Sequence, residues 1–121
     1  MMQLLIAEKS GLVQDRIARI VSNGKTVPNI EYATSIDNTI EALSTKKIDV
    51  LILSLKILKE RGFKILSQIK QYVPMIIIMI SNSIPLYKLM LIDAGANLVL
   101  DDSGEFDEIP QVLTRLQSVL E

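Results

Sequence analysis

The chain contains no cysteine and no histidine. Disulfides, thiolate or imidazole metal sites, and Ser/His or Cys/His catalytic pairs are therefore excluded together. Aromatic residues are few, three Tyr and two Phe with no Trp, which leaves little to stack a flat ring such as isoalloxazine. Neither sign of charge dominates: 13 Lys and Arg stand against 14 Asp and Glu, and no basic cluster is longer than Lys46-Lys47. That is no electrostatic footprint for wrapping nucleic acid, so this chain alone is not expected to bind it. The longest apolar run, Met75 to Ile80, is far too short to span a bilayer. Met1-Met2-Gln3 leads straight onto a strand with no basic region ahead of it, so a soluble cytoplasmic protein without membrane contact is expected.

What is present is a series of short apolar runs separated by amphipathic segments. With 121 residues and 49% hydrophobic content, the chain is expected to form a single domain over residues 1–121, burying roughly two thirds of the surface its unfolded form exposes. The organising stretch is Ile48 to Ile57, in which Val50-Leu51-Ile52-Leu53 is closed by Ser54. Such a run reads as a strand buried on both faces, the kind found in parallel sheets covered by helices. Ligands in open α/β sheets bind beyond the carboxyl ends of the strands, so Ser54 occupies the place where chemistry would be done.

Leu4 to Ala7 reads as a first strand, and Ser10 as the cap of a helix carrying Val13, Ile17, Ile20 and Val21. Asn23-Gly24-Lys25 supplies a residue tolerant of positive φ to end it. Ile30 to Ala33 is a second strand, and Ser35 caps a helix with Ile36, Ile40 and Leu43. After the organising strand, a helix is expected over 59–71, then the apolar strand Met75 to Ile80, a helix from Pro85 to Ala94, and a short strand Asn97 to Leu100. The last helix repeats apolar residues at Ile109, Val112, Leu113, Leu116, Val119 and Leu120, with Pro110 harmless in its first turn. Five strands alternating with five helices imply an α/β fold, a single doubly wound parallel sheet. Its strand tips bring Ala7-Glu8, Ser54, Ser81 and Asp101-Asp102 to one edge.

Asp49 to Lys56, Gly62, Ala94-Gly95-Ala96, and the tail Leu100-Asp101-Asp102-Ser103-Gly104-Glu105-Phe106-Asp107-Glu108-Ile109 stand in register with one known pattern. Together they resemble the receiver domain of two-component response regulators, over essentially the whole chain, and most of all short stand-alone receivers. The resemblance implies a flavodoxin-like, receiver-type fold. It also implies an aspartate nucleophile at the third strand tip, Mg²⁺ held largely by two acids at the first, a Thr or Ser hydroxyl, and a lysine that meets the phosphoryl oxygens. This sequence departs from that set. Ser54 stands at the aspartate position, and an unactivated hydroxyl is a poor nucleophile. The acid pair is reduced to Ala7-Glu8, Asp102 stands where the lysine is expected, and Val99 replaces the aromatic residue that often reports phosphorylation. Ser81 matches the hydroxyl if a one-residue gap is allowed; without it Met79 falls there.

The resemblance therefore implies a degenerate receiver, or pseudo-receiver, in phosphorelay signal transduction, acting as a phosphorylation-independent protein–protein interaction module. No catalysis is expected, and Mg²⁺ binding is expected to be weak or absent, with no other metal or cofactor. Ser54 and Ser81 then read as polar caps, Glu8 as a solvated acid and Asp101-Asp102 as a turn pair; a cation between Glu8 and Asp102 is the competing reading. The rival functions are a phosphoacceptor with non-standard acceptor chemistry and a small flavodoxin-like cofactor binder. The second lacks a Ser/Thr/Gly-rich phosphate loop after its first strand. On the helix from Pro85 to Ala94, Leu86, Met90, Ala94, Tyr87 and Leu91 fill one arc, which leaves Leu89 and Ile92 as surplus apolar surface. Scattered surface leucines are ordinary. In receivers, however, this fourth helix, the fifth strand and the last helix form the usual face for dimers and output partners, so Leu89, Ile92 and Val99 are expected to meet a protein partner or a second copy.

Overall fold

The computed structural model describes residues 1–81, 85–101 and 104–120. Among them five strands form one sheet: β1 (Gln3–Ala7), β2 (Asn29–Ala33), β3 (Val50–Ser54), β4 (Met75–Ile80) and β5 (Leu98–Asp101). Their order is β2-β1-β3-β4-β5 and every pair is parallel. The helices are α1 (Gly11–Ser22), α2 (Ile36–Thr45), α3 (Leu55–Leu58), α4 (Ile65–Ile69), α5 (Pro85–Ala94) and α6 (Ile109–Leu120), the last entered through a 3₁₀ turn, Glu105–Glu108.

Alternation along the strands sorts the core into two layers. Leu5, Ala7, Leu51, Leu53, Ile76 and Ile78 pack beneath α2, α3, α4 and α5, meeting Ile36, Leu43, Ile57, Leu66, Ile69 and Leu91. Leu4, Ile6, Val50, Ile52, Ile77 and Met79 pack on the other face, against Ile17 and Val21 of α1 and Ile109 and Leu113 of α6. The continuous apolar runs of β3 and β4 follow from this double covering. Edge strand β2 is more exposed, and its Glu31 pairs with Lys46 at 2.6 Å. Asp49 ties the bottom of the sheet, accepting from the Gln3 N–H at 2.8 Å while its own N–H donates to the Gln3 carbonyl.

The helix expected over 59–71 is two helices. Gly62 adopts φ 83, a left-handed conformation that an α-helix does not contain, and it separates α3 from α4. Gly24 also works differently from its expected role. The residue closing α1 is Asn23 in a right-handed conformation, and a Cβ on Gly24 would stand 3.0 Å from the Pro110 Cβ. Gly24 thus lets the end of α1 approach α6. The apolar stripe of α6 outruns the core: Ile109 and Leu113 are buried, Val112 and Leu116 half-buried, and Val119 and Leu120 exposed.

Candidate functional site

The strand tips are set by register. Ala7 pairs with Leu53 and Ser54 with Met79, so β1, β3 and β4 end close together, while Ile80 pairs with Asp101 on β5. Beyond them opens a cleft of about 350 Å³ lined by Glu8, Ser10, Val13, Ser54, Leu55, Lys56, Lys59 and Ser81. Met79 lies in the core layer beneath α1 and α6. Of the two candidates for the hydroxyl position, Ser81 is the one that shares the cleft with Ser54.

Ser54 is 6% exposed, and its Oγ accepts the Ile57 N–H at 3.3 Å, capping α3. A cap at this point follows from the sequence, since the strand's last residue is also the residue before a helix. Ser10 does the same for α1, accepting the Val13 N–H at 3.3 Å. Glu8 folds back so that one carboxylate oxygen accepts the Ser10 N–H at 3.0 Å, while its backbone carbonyl accepts from the Gln14 amide at 2.6 Å. Ala7 is buried and contributes no polar group.

Two ion-pair clusters join residues next in sequence to the strand tips or the cleft lining to neighbouring elements. Glu60 accepts the Ile36 N–H at 2.9 Å and pairs with Lys9 at 2.9 Å, and these bonds, the backbone N–H first, hold its carboxyl below the usual range. On the other side Lys88 donates to Glu105 at 2.7 Å and lies 3.8 Å from Asp101, whose N–H donates to the same Glu105 oxygen at 2.8 Å. The Lys88–Glu105 hydrogen bond raises the Lys88 ammonium and lowers the Glu105 carboxyl. Asp102 lies outside the described residues.

The partner face departs from expectation in both directions. Val99 is 6% exposed and packs in the core layer with Leu91 and Ala96, because β5, although an edge strand, is covered by α5; it offers no surface. On α5 the exposed apolar area is wider than expected. Leu89 is 68% and Ile92 44% exposed, and Leu86 and Met90, expected to face the sheet, are exposed as well. Only Leu91 of α5 is buried, with Tyr87 set edge-on to Phe63 at 5.9 Å.

Residues 4–114 match the family model of the response regulator receiver domain. The chain belongs to that family. Comparison with curated proteins gave no match. Among solved structures, this receiver domain is similar to a response regulator from Hahella chejuensis, with TM-score 0.83 and 18% identity over 100% of this chain and 98% of that one. It is also similar to the signal receiver domain of a DNA-binding response regulator from Colwellia psychrerythraea 34H, with TM-score 0.83 and 20% identity over 98% and 99% of the two chains. A third is the signal receiver domain of a LuxO repressor protein from Vibrio parahaemolyticus, with TM-score 0.80 and 20% identity over 99% and 97%. Identities this low establish the shared fold alone.

Within the receiver frame, the described residues that line the cleft do not by themselves fit a divalent cation. Among them Glu8 is the one carboxylate, the other side-chain oxygens are neutral hydroxyls, and Lys56 and Lys59 bring positive charge to the same space. Sequence reasoning missed these two lysines as lining residues. Their signal was spacing: three apart on the short run that follows Ser54, they share one side of a helical turn. Among the described residues, no helix is long and apolar enough to cross a membrane.

Proposed function

We propose that this receiver domain signals by protein contact and does not accept a phosphoryl group, making it a pseudo-receiver and not an enzyme. The observation that carries the reading is Ser54: the third strand ends in a hydroxyl already engaged as a helix cap, where phosphoacceptor chemistry needs a free carboxylate. Among the described residues, Lys56 and Lys59 line the same cleft beside a single acid, which disfavours the metal that would shield an incoming phosphoryl donor. The exposed apolar side of α5 supports a protein partner or a second copy as the target, since contiguous exposed apolar residues mark interaction surfaces. The near balance of charge supports no nucleic-acid contact by this domain alone.

Incubation with Mg²⁺ and acetyl phosphate should leave the intact mass unchanged. A stoichiometric phosphoryl adduct at Ser54 or any other residue would overturn the reading. A Mg²⁺ titration followed by amide NMR should show no saturable movement of Glu8 or Ser54 at millimolar metal. High-affinity saturation at both would restore a working metal site.

A further inference from the structure

Asn23 and Gly24 stand where the chain leaves α1, and the pair carries a chemistry that signalling by contact does not use. An asparagine followed by glycine can react with itself. The backbone nitrogen of the following residue attacks the side-chain amide carbon, and glycine, with no Cβ, leaves that nitrogen unshielded. Position 24 is held to glycine for a separate reason, since a Cβ there would stand 3.0 Å from the Pro110 Cβ. The packing of α1 against α6 therefore fixes the residue that makes Asn23 reactive.

The surrounding structure leaves the pair free to move. Asn23 is exposed and lines an open groove of about 530 Å³ with Lys25, Gln111 and Arg115. Its own N–H donates to the Ile20 carbonyl at 3.3 Å, but residues 24–28 enter no hydrogen bond among the described residues. The next tether is the Asn29 N–H on the Met2 carbonyl, at 2.9 Å. Asn23 rests at ψ −6, and closing a ring needs rotation about that bond to bring the Gly24 nitrogen to the side chain. An untethered stretch beyond a helix end is where such an opening costs least. The other described asparagines have neither glycine nor freedom. Asn29 precedes Ile30 within β2, and Asn38 precedes Thr39 within α2. Asn97 precedes Leu98, and its side-chain oxygen accepts from the Ile76 N–H at 2.9 Å and from Lys70.

We infer that Asn23 is a site of spontaneous modification in the folded domain, converting to aspartate and isoaspartate through a succinimide closed by the Gly24 nitrogen. In the first step the bond from the Gly24 nitrogen to Asn23 Cγ forms and the bond from Cγ to the side-chain nitrogen breaks. Ammonia leaves, carrying the Gly24 amide proton. In the second step water opens the ring at either carbonyl. Opening at Cγ restores the ordinary main chain with an aspartate side chain. Opening at the backbone carbonyl routes the main chain through Cγ and adds one atom to it. Either product places a carboxylate in the groove that Lys25 and Arg115 line. The isoaspartyl form also lengthens the chain where Gly24 is fitted against Pro110, so it should loosen the contact between α1 and α6. The inference goes beyond the contact-signalling reading and does not rest on it.

The test is incubation of the intact protein at neutral and at mildly alkaline pH, followed by tryptic peptide mapping against a sample digested without incubation. Cleavage after Arg19 and Lys25 isolates Asn23 in the peptide 20–25, apart from every other asparagine. That peptide is expected to gain about 1 Da, water added for ammonia lost, before the peptides carrying Asn29, Asn38, Asn82 or Asn97 change. It should resolve into an aspartyl and an isoaspartyl form, and convert faster at the higher pH. The thermal midpoint of the aged protein should fall. Asn23→Gln cannot close the five-membered ring and should keep its midpoint through the same incubation. A synthetic peptide of residues 20–25 supplies the rate without the fold. The inference is overturned if the free peptide converts while the protein does not, if another asparagine changes first, or if Asn23→Gln ages like the parent.

Discussion

Replacing Ile52 by alanine is expected to lower the stability of this receiver domain by about 2–5 kcal/mol, the range for removing a large aliphatic side chain from a packed core. Ile52 is fully buried at the centre of the sheet, paired in register with Ile6 on β1 and Ile77 on β4, and lies in the layer covered by α1 and α6. The hole would be bounded by strands on both sides and by helices above, none of which can close on it without losing register. Since total stability for such domains is about 5–15 kcal/mol, the midpoint of urea unfolding should fall sharply while the slope of the transition stays the same. The contrasting substitution is Leu12→Ala on the outer side of α1, where the side chain is 84% exposed and the change should stay within about 0.5 kcal/mol. Equal losses at the two sites would contradict the layered core described above.

Changing Leu89 and Ile92 together to aspartate should separate folding from binding. Both side chains are exposed on α5, so each substitution is expected to alter stability by no more than about 0.5 kcal/mol. If these side chains anchor a partner or a second copy, affinity should drop by about 1 kcal/mol or more, as truncating a buried interface anchor does. Ser54→Ala makes the opposite comparison. It removes the α3 cap and should cost about 1 kcal/mol of stability, yet it leaves the α5 surface as it was. Thermal unfolding and sedimentation of the variants, with partner affinity where one is in hand, read both effects. Normal association of the α5 variant together with impaired association of Ser54→Ala would move the interaction surface from α5 to the cleft.

The strands were legible because a strand covered on both faces must be apolar throughout, and Val50 to Leu53 and Met75 to Ile80 meet that demand without interruption. The stretch 59–71 was less so. Ile65, Leu66 and Ile69 carry a helical spacing, but periodicity does not register that Gly62 turns left-handed and resets the chain before α4 begins. On α5 the pattern itself was ambiguous: apolar residues occur on every side of the helix, so an arc of Leu86, Met90 and Leu91 could be drawn on the sheet side when only Leu91 reaches it. At the site, Ser54, Ser81 and Glu8 followed from strand order alone, because strand tips must converge. Lys56 and Lys59 did not, since lysines after a strand ordinarily point to water, and only the short α3 turns them toward the cleft mouth.

The strand order carries a consequence for how the chain reaches this structure. β1 is bonded to β2 on one side and to β3 on the other, so β1 is completed only when residues 50–54 arrive. β4 and β5 then add outward, each after a helical crossover. Nearly every sheet contact therefore joins segments far apart in sequence, and each closure gives up chain entropy before its contacts form, which slows folding relative to a helical bundle of the same size. Until β3 docks, Leu4 and Ile6 present an open apolar strand edge, so nascent chains that stop short of it are the species most exposed to misassociation.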